Sequence, residues 1–312
     1  MVPDAPSPAQ PDAAHGLLVL DKPTGPTSRD VVNRVCRLLP RRVRVGHTGT
    51  LDPLASGVLV VCVGEATRLA EYVQAMGKVY TTTVRLGATS DTDDAQGNIT
   101  PTPAALASAP PTPEQVAAAT ERLVGLIEQV PPAYSAVHIA GQRAYDLARA
   151  GQAPTLTPRR VLVTRLSLLR YDYPELDLLV ECGKGTYIRS LARDLGAALG
   201  CGGYVQTLRR TAVGPFTESM AVAPDSLDRA SLLAQLQPMR LALAGWPSVS
   251  VDAAACRRLR QGQAVLVDCS ATALTTTPTP RHVAVLGPDL ALVAIGNVDA
   301  RGWLRPLKVF AG

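Results

Sequence analysis

Residues 46–64 read GHTGTLDPLASGVLVVCVG and set a single carboxylate, Asp52, in a loop with Gly46, Gly49 and Gly57 that runs into an apolar stretch of strand type. Two readings are open from residue type alone. Asp-Pro can open a turn whose carboxylate caps backbone N–H groups. Alternatively the carboxylate is reactive, since glycine permits close approach of other groups and loops at strand ends are where reactive groups concentrate. His47 in the same loop could serve as a general base, a base-stacking ring or a turn residue; no Ser or Cys stands in a spacing that would make a hydrolase triad with it. A second constellation is GKGTYIRS at 183–190. Tyr187 and Arg189 are two apart, so they share a face only if the chain is still extended there; otherwise Tyr187 packs at a helix start and Arg189 meets solvent.

Other candidate sites fail on spacing. DTDDAQGN at 91–98 has Gln96 at the sixth position of a calcium loop and Thr102 at the twelfth, where Gly and Glu are needed. CGKGT at 182–186 lacks the earlier glycine of a phosphate loop, and Gly185 replaces its Ser/Thr. The six cysteines, at 36, 62, 182, 201, 256 and 269, form no CxxC pair, which argues against zinc and against a disulfide framework and points to a reducing cytoplasm. No secretory signal precedes residue 16, and the apolar run Val58 to Val63 is too short to cross a bilayer.

The 312 residues carry a net charge of +5, unevenly spread. Residues 27–44 hold six Arg against one Asp, and residues 141–170 again hold six Arg against Asp146. Such stretches suit a polyanion, because guanidinium forks match phosphate oxygens; the plain alternative is a solvated face. Only four of the 31 basic residues are Lys, at 22, 78, 184 and 308, which suggests places where a compact ammonium is required.

These residues need elements to hold them. LLVLDKPTG reads as a strand and loop, and Thr27 or Ser28 can cap a helix with Val31, Val32, Val35, Leu38 and Leu39 on its buried stripe. KVYTTTVRLG alternates, placing Tyr80, Thr82, Val84 and Leu86 on one side. Thr112-Pro113-Glu114 starts a helix whose stripe is expected to run through Val116, Leu123, Leu126 and Ile127. LDLLVECG predicts a strand, followed by a helix to Leu199 stopped by Gly200. Residues 1–14 are expected to be disordered and 101–113 to be a linker or long loop. Beyond a boundary near 245, short β-type runs (AVLV, HVAVLG, LALVAIGNV, WLRPLKVF) predict a small β-barrel.

GHTGTLDPLASGVL, KVYTTTVRLGATSDTDDAQG, QVPPAYSAVHIAGQRAYDLARAG and CGKGTYIRSLARDLGAALGCGGYVQTLRRTAVGPF resemble, in order, the signature blocks of the bacterial TruB family; LLVLDKPTGPTS resembles its opening block and GPDLALVAIGNVDARGWLRPLKVF its RNA-binding PUA domain. The resemblance covers about residues 16–312. It implies an α+β fold: a pseudouridine synthase catalytic domain (15–244) with a central, mainly antiparallel sheet flanked by helices, a tRNA-gripping insertion about 129–158, and a C-terminal PUA barrel (245–312). By position it makes Asp52 the catalytic aspartate, Arg189 its paired arginine and Tyr80 the aromatic that stacks on the flipped uracil. Tyr187 becomes the second active-site tyrosine, His47 the histidine that helps extrude the nucleotide, Leu208 a pocket residue, and Lys22-Pro23 the motif beneath the site. Ser56, Ser90, Gly183, His138 and Gly203-Tyr204 depart from the usual pattern at positions that are not reactive. Residues 269–282 match nothing in it.

The implied reaction is isomerisation of uridine to pseudouridine at position 55 in the tRNA T arm, by an enzyme of the cytoplasm. It would act as a monomer, without cofactor, metal, guide RNA or obligate protein partner. On this view Arg189 lowers the pKa of Asp52, and stacking on Tyr80 offsets the cost of base extrusion. Rival expectations are a glycosidase, which needs a second carboxylate, a guide-RNA-dependent relative, and a tRNA chaperone of the same fold that lacks catalysis.

Overall fold

The computed structural model describes residues 14–103, 110–135, 138–139, 142–143, 156–267 and 281–311. Residues 1–13 of the expected disordered extension, most of the insertion 129–158 including the side chain of His138, and most of the 269–282 segment lie outside them.

A nine-stranded sheet forms the centre: β1 (Gly16–Lys22), β2 (Val45–His47), β3 (Ser56–Val63), β4 (Lys78–Leu86), β5 (Gly125–Gln129), β6 (Arg159–Asp172), β7 (Glu175–Cys182), β8 (Gly203–Val213) and β9 (Phe216–Thr217). Its order is β1-β3-β8-β4-β7-β6-β5, with β2 added to β3 and β9 to β8. Every pairing is antiparallel except β3 with β8. Alternation sets the faces as the sequence predicts: in β4, Lys78, Tyr80, Thr82, Val84 and Leu86 are buried and their neighbours less so.

Helices α1 (Ser28–Leu38), α2 (Ala70–Ala75), α3 (Pro113–Glu121), α4 (Ile188–Ala198), α5 (Arg229–Ala234) and α6 (Ala253–Arg260) surround the sheets. Thr27 caps α1 in a capping box with Asp30. Val31, Val32 and Val35 then bury against Leu18, Leu20, Leu59 and Val61 on one sheet face, which α4 also covers through Leu191, Ala192 and Leu195. The helix expected to run from Thr112 through Ile127 is shorter. It ends at Glu121, and Gly125, at φ 100, turns the chain into β5. Leu126 therefore faces solvent from an edge strand, 57% exposed, where helical spacing would have buried it.

The C-terminal β-type runs appear as strands: β10 (Ser248–Ser250), β11 (Val265–Leu266), β12 (Arg281–Leu286), β13 (Leu292–Val298) and β14 (Trp303–Val309). Among the described residues they hydrogen-bond as a five-stranded sheet in the order β10-β12-β13-β14-β11, with no return from β11 to β10. Strand β10 and helix α6 carry no signal in the sequence reading. Ala284, Leu292, Ile295 and Phe310 of this unit join one apolar cluster with Leu17, Val19, Val58 and Val60, so it seals the reverse face of β1 and β3. Lys308 adds a 2.5 Å ion pair to Glu71. Among the described residues no helix is long and apolar enough to cross a membrane.

One feature of the sheet positions the Asp52 loop. Along one edge of β3, residues 61–63 pair with β2, whereas Ser56 and Gly57 pair with β8. The loop 48–55 leaves the sheet where these two partners part. Gly57, at φ 98, lies so close to β8 that an added Cβ would fall 2.2 Å from the Arg210 carbonyl oxygen. That approach is open to glycine alone.

Candidate active site

Four buried polar side chains hold the loop. Ser28, at the start of α1, both accepts from the Leu51 N–H (2.8 Å) and donates to the Leu51 carbonyl (2.9 Å). Lys22 Nζ donates to the carbonyls of Ala55 (2.7 Å) and Pro23 (2.8 Å). Arg210 donates to the carbonyls of Val58 (2.7 Å) and Gly49 (3.1 Å), and Thr48 to that of Val60. Asp52 does open a turn, its carbonyl accepting from the Ala55 N–H at 3.0 Å. Its carboxylate has a different partner. Oδ2 lies 2.9 Å from Arg189 Nη2.

Arg189 is the second residue of α4, and its side chain is only 5% exposed, which excludes the alternative of an arginine in solvent at a helix start. Tyr187 is the extended N-cap and Arg189 already lies in the helix, so the pair is not displayed by strand alternation. The guanidinium also meets Asp94 Oδ2 at 3.3 Å and donates to the carbonyls of Thr92 (3.1 Å) and Tyr134 (2.9 Å). Asp94 in turn accepts from the Thr92 hydroxyl (2.7 Å) and the Gln96 N–H (3.0 Å) through Oδ1. The acidic stretch 91–98, rejected as a calcium loop, thus carries the counter-charge that orients Arg189.

About a third of the Asp52 side chain meets solvent, yet the carboxyl sits deep enough for burial to push it above the ordinary carboxylate value. Arg189 and Lys22 pull it down, and Asp94 pushes it further up. The expectation that Arg189 lowers this pKa holds for the direction of its own effect; burial outweighs it. Lys22 is itself pushed down to about 8 by burial, with Asp52 opposing. Burial raises the Tyr80 hydroxyl, against which Arg210 acts as cation and hydrogen-bond donor. His47 is shifted down by burial and by the charges of Arg29 and Arg210, so its ring is neutral at pH 7.

Tyr80 faces Arg210 across β4 and β8, and Leu208 faces Thr82 two pairs further along. Leu208 lines a 520 Å³ cavity with Leu54, Ser56, Thr82, Thr207 and Arg209, beside the loop. The structure joins Asp52 and Arg189 directly, with Lys22 and Tyr80 in electrostatic reach of the carboxylate. His47 stands at the end of β2, before the loop, and Tyr187 touches the guanidinium of Arg159 at 4.6 Å. Among the described residues no group of three His, Cys, Asp or Glu could hold a metal ion. The basic stretches separate: Arg165 and Arg170 are spent on Glu181, Glu175 and Asp177 within the sheet, whereas Arg29, Arg37 and Arg41 stand exposed on or beside α1. Three of the four lysines fill defined sites: Lys22 and Lys78 are buried against carbonyls, and Lys308 binds Glu71; Lys184 is exposed.

A carboxylate paired to a buried arginine thus stands at a split in a mixed sheet, with a buried tyrosine in electrostatic reach. Residues 37–188 match the TruB family pseudouridylate synthase N-terminal domain and residues 189–244 the tRNA pseudouridylate synthase B C-terminal domain. The chain is 45% identical over 314 residues to a tRNA pseudouridine synthase B of Rhodopseudomonas palustris, with 95% of this chain and 81% of that one covered. It is 42% identical to the one of Thermobifida fusca, with 96% and 99% covered. A chain in a Cbf5-Nop10-Gar1 complex superposes with a TM-score of 0.68 at 25% identity, covering 95% of this chain and 85% of that one. A chain in an H/ACA RNP bound to a substrate RNA shares the fold, with a TM-score of 0.69 at 23% identity over 100% and 94% of the two chains. The chain belongs to the TruB family of pseudouridylate synthases.

Asp94, Ser28, Arg210 and Gln129, whose amide binds Tyr187, escaped the sequence reading. Their types were visible, but each matters through a partner at least 23 residues away. A buried-polar signal cannot be read from one sequence.

Proposed function

We propose that the protein isomerises uridine to pseudouridine at position 55 in the T arm of tRNA. The observation that carries this reading is the 2.9 Å Asp52–Arg189 pair in a chain of the TruB family. The reaction breaks the C1′–N1 bond, turns the base and forms C1′–C5. The C5 proton is lost and N1 gains one, so composition and oxidation state are unchanged. Asp52 must be ionised to act, and Arg189 favours that form. We assign Asp52 to removal of the 2′ proton as the C1′–N1 bond breaks, giving a glycal and a uracil anion; Asp52 returns the proton to C2′ as C5 joins C1′. Tyr80 offers a ring on which the everted base stacks, worth about 1–3 kcal/mol against the cost of extrusion. His47, neutral and ahead of the loop, helps displace the nucleotide; Leu208 and Tyr187 bound the uridine pocket, and Lys22 braces the loop.

The exposed arginines of α1 suit phosphates of the T stem, read by shape. Residues 15–244 form the catalytic domain with the insertion about 129–158 gripping the tRNA, and 245–312 a PUA-type RNA-binding domain. The names of the 42–45% identical relatives support tRNA as substrate; a single chain acting in the cytoplasm without guide RNA is part of the same proposal. Incubating the protein with an unmodified T-arm stem-loop and mapping pseudouridine tests the reading. Conversion at the position equivalent to 55, lost in Asp52→Asn with T-arm binding retained, is the expected result; conversion by Asp52→Asn at the wild-type rate rejects the assignment.

A further inference from the structure

Gln129 ends β5 and Arg159 opens β6, and the two are paired in register. Both turn to the loop that leads into α4. Gln129, 1% exposed, accepts from the Tyr187 N–H through Oε1 at 2.8 Å and donates to the Tyr187 carbonyl through Nε2 at 3.1 Å. One side chain thus satisfies both backbone groups of the residue where α4 begins, a helix start that lacks any side-chain cap of its own. Arg159 stacks its guanidinium on the Tyr187 ring at 4.6 Å and donates to the Gly185 carbonyl.

The residues that follow Gln129 continue the attachment. The Val130 carbonyl accepts from Ser190 Oγ (2.8 Å) and Arg193 Nη2 (2.9 Å), and the Tyr134 carbonyl accepts from Arg189 Nη2 (2.9 Å). That same Nη2 carries the ion pair to Asp52. The first turn of α4 is therefore fastened along residues 129–134, and Gln129 is the link whose two bonds fix the backbone before Arg189.

We infer that Gln129 is a positioning residue of the reaction: it sets the start of α4 so that Tyr187 lines the site and Arg189 reaches Asp52. The inference rests on the proposed roles of Asp52, Arg189 and Tyr187. Because the bonds it makes are to backbone, its effect falls on the geometry of conversion and not on tRNA affinity.

The test compares Gln129→Met, which keeps side-chain volume but offers neither bond, with Gln129→Glu, which keeps only the acceptor. Single-turnover conversion of a T-arm stem-loop and its dissociation constant are measured against pH. In Gln129→Met the rate falls roughly tenfold or more, as misplacement by a fraction of an ångström does, with affinity unchanged. Its acidic limb moves to higher pH, since a looser Arg189 leaves Asp52 to burial and Asp94, with Lys22 opposing and Tyr80 neutral. Gln129→Glu falls between. A wild-type rate and limb in either soluble variant, or a loss confined to affinity, overturns the inference. Asp52→Asn is run alongside: conversion by that variant overturns the site assignment and the inference with it, whereas an inactive Asp52→Asn beside a wild-type-like Gln129→Met or Gln129→Glu overturns the inference alone.

Discussion

Two acidic loops meet at one guanidinium, and they are built differently. In residues 91–98, Asp94 is buried; Oδ1 is held by Thr92 and Gln96 while Oδ2 faces Arg189. In residues 48–55 the backbone is held at Leu51, Ala55 and Gly49, but among the described residues the Asp52 carboxylate takes its hydrogen bond from Arg189 alone and keeps about a third of its surface open. A carboxylate whose two oxygens are both engaged can orient a neighbour but has little left for a substrate. One that is fixed through its backbone and left with free lone pairs is equipped to react. The difference supports separate jobs for two aspartates that are identical in type and both next to Arg189.

The largest expected effect is on their shared partner. Arg189→Gln removes the cation from both loops, and single-turnover conversion should fall roughly 100-fold or more. Its acidic limb should move to higher pH, because the cation that lowers the Asp52 pKa is gone while burial and Asp94 still raise it. Asp94→Asn is milder: the amide oxygen can keep the Thr92 and Gln96 bonds, and the rate should fall roughly tenfold. Here the limb should move to lower pH, since the negative charge that raises Asp52 has been removed. An upward shift in this variant would mean that Asp94 acts chiefly by holding Arg189 in place.

The smallest effect is on stability. The folded-state pKa of Asp52 lies above its ordinary value of 3.8, so the stability linked to this group is present below 3.8 and is lost as pH rises through the folded-state pKa. Asp52→Asn removes that loss while Arg189 keeps Asp94 as its counter-ion. Thermal unfolding of Asp52→Asn should therefore come a little above wild type at pH 7, and the two should converge as pH falls toward 3.8. A lower melting temperature at pH 7 would show that the Asp52–Arg189 bond outweighs the burial cost.

Local periodicity made much of the framework legible. The alternation of β4, the Thr27-capped stripe of α1 and the Gly200 stop after α4 depend on contacts within one element, and each was present as expected. The stripe assigned to 116–127 failed because residues 125–129 pair with β6, a partner thirty or more residues on, and Gly125 permitted the change of conformation. Strand β6 itself lacks a clean alternation, since its outer face mixes Leu162 and Leu169 with arginines paired to β7. Within the basic stretch 141–170, Arg165 and Arg170 looked free for phosphate for the same reason: the acids that neutralise them lie on the next strand.

By itself the sequence determined the family, because the blocks that hold Asp52, Tyr80, Tyr187 and Arg189 follow its order and spacing, and with it the residues proposed to carry the chemistry. It also determined most elements, because strand and helix periods are local properties of the chain. Only the tertiary structure decided which aspartate is tied down and which is left open, that burial outweighs Arg189 in setting the Asp52 pKa, and that Gln129 fastens the start of α4. Hydrogen-bond satisfaction and desolvation are set by what surrounds a group in space, and the groups in question come from segments 23 to more than 150 residues apart.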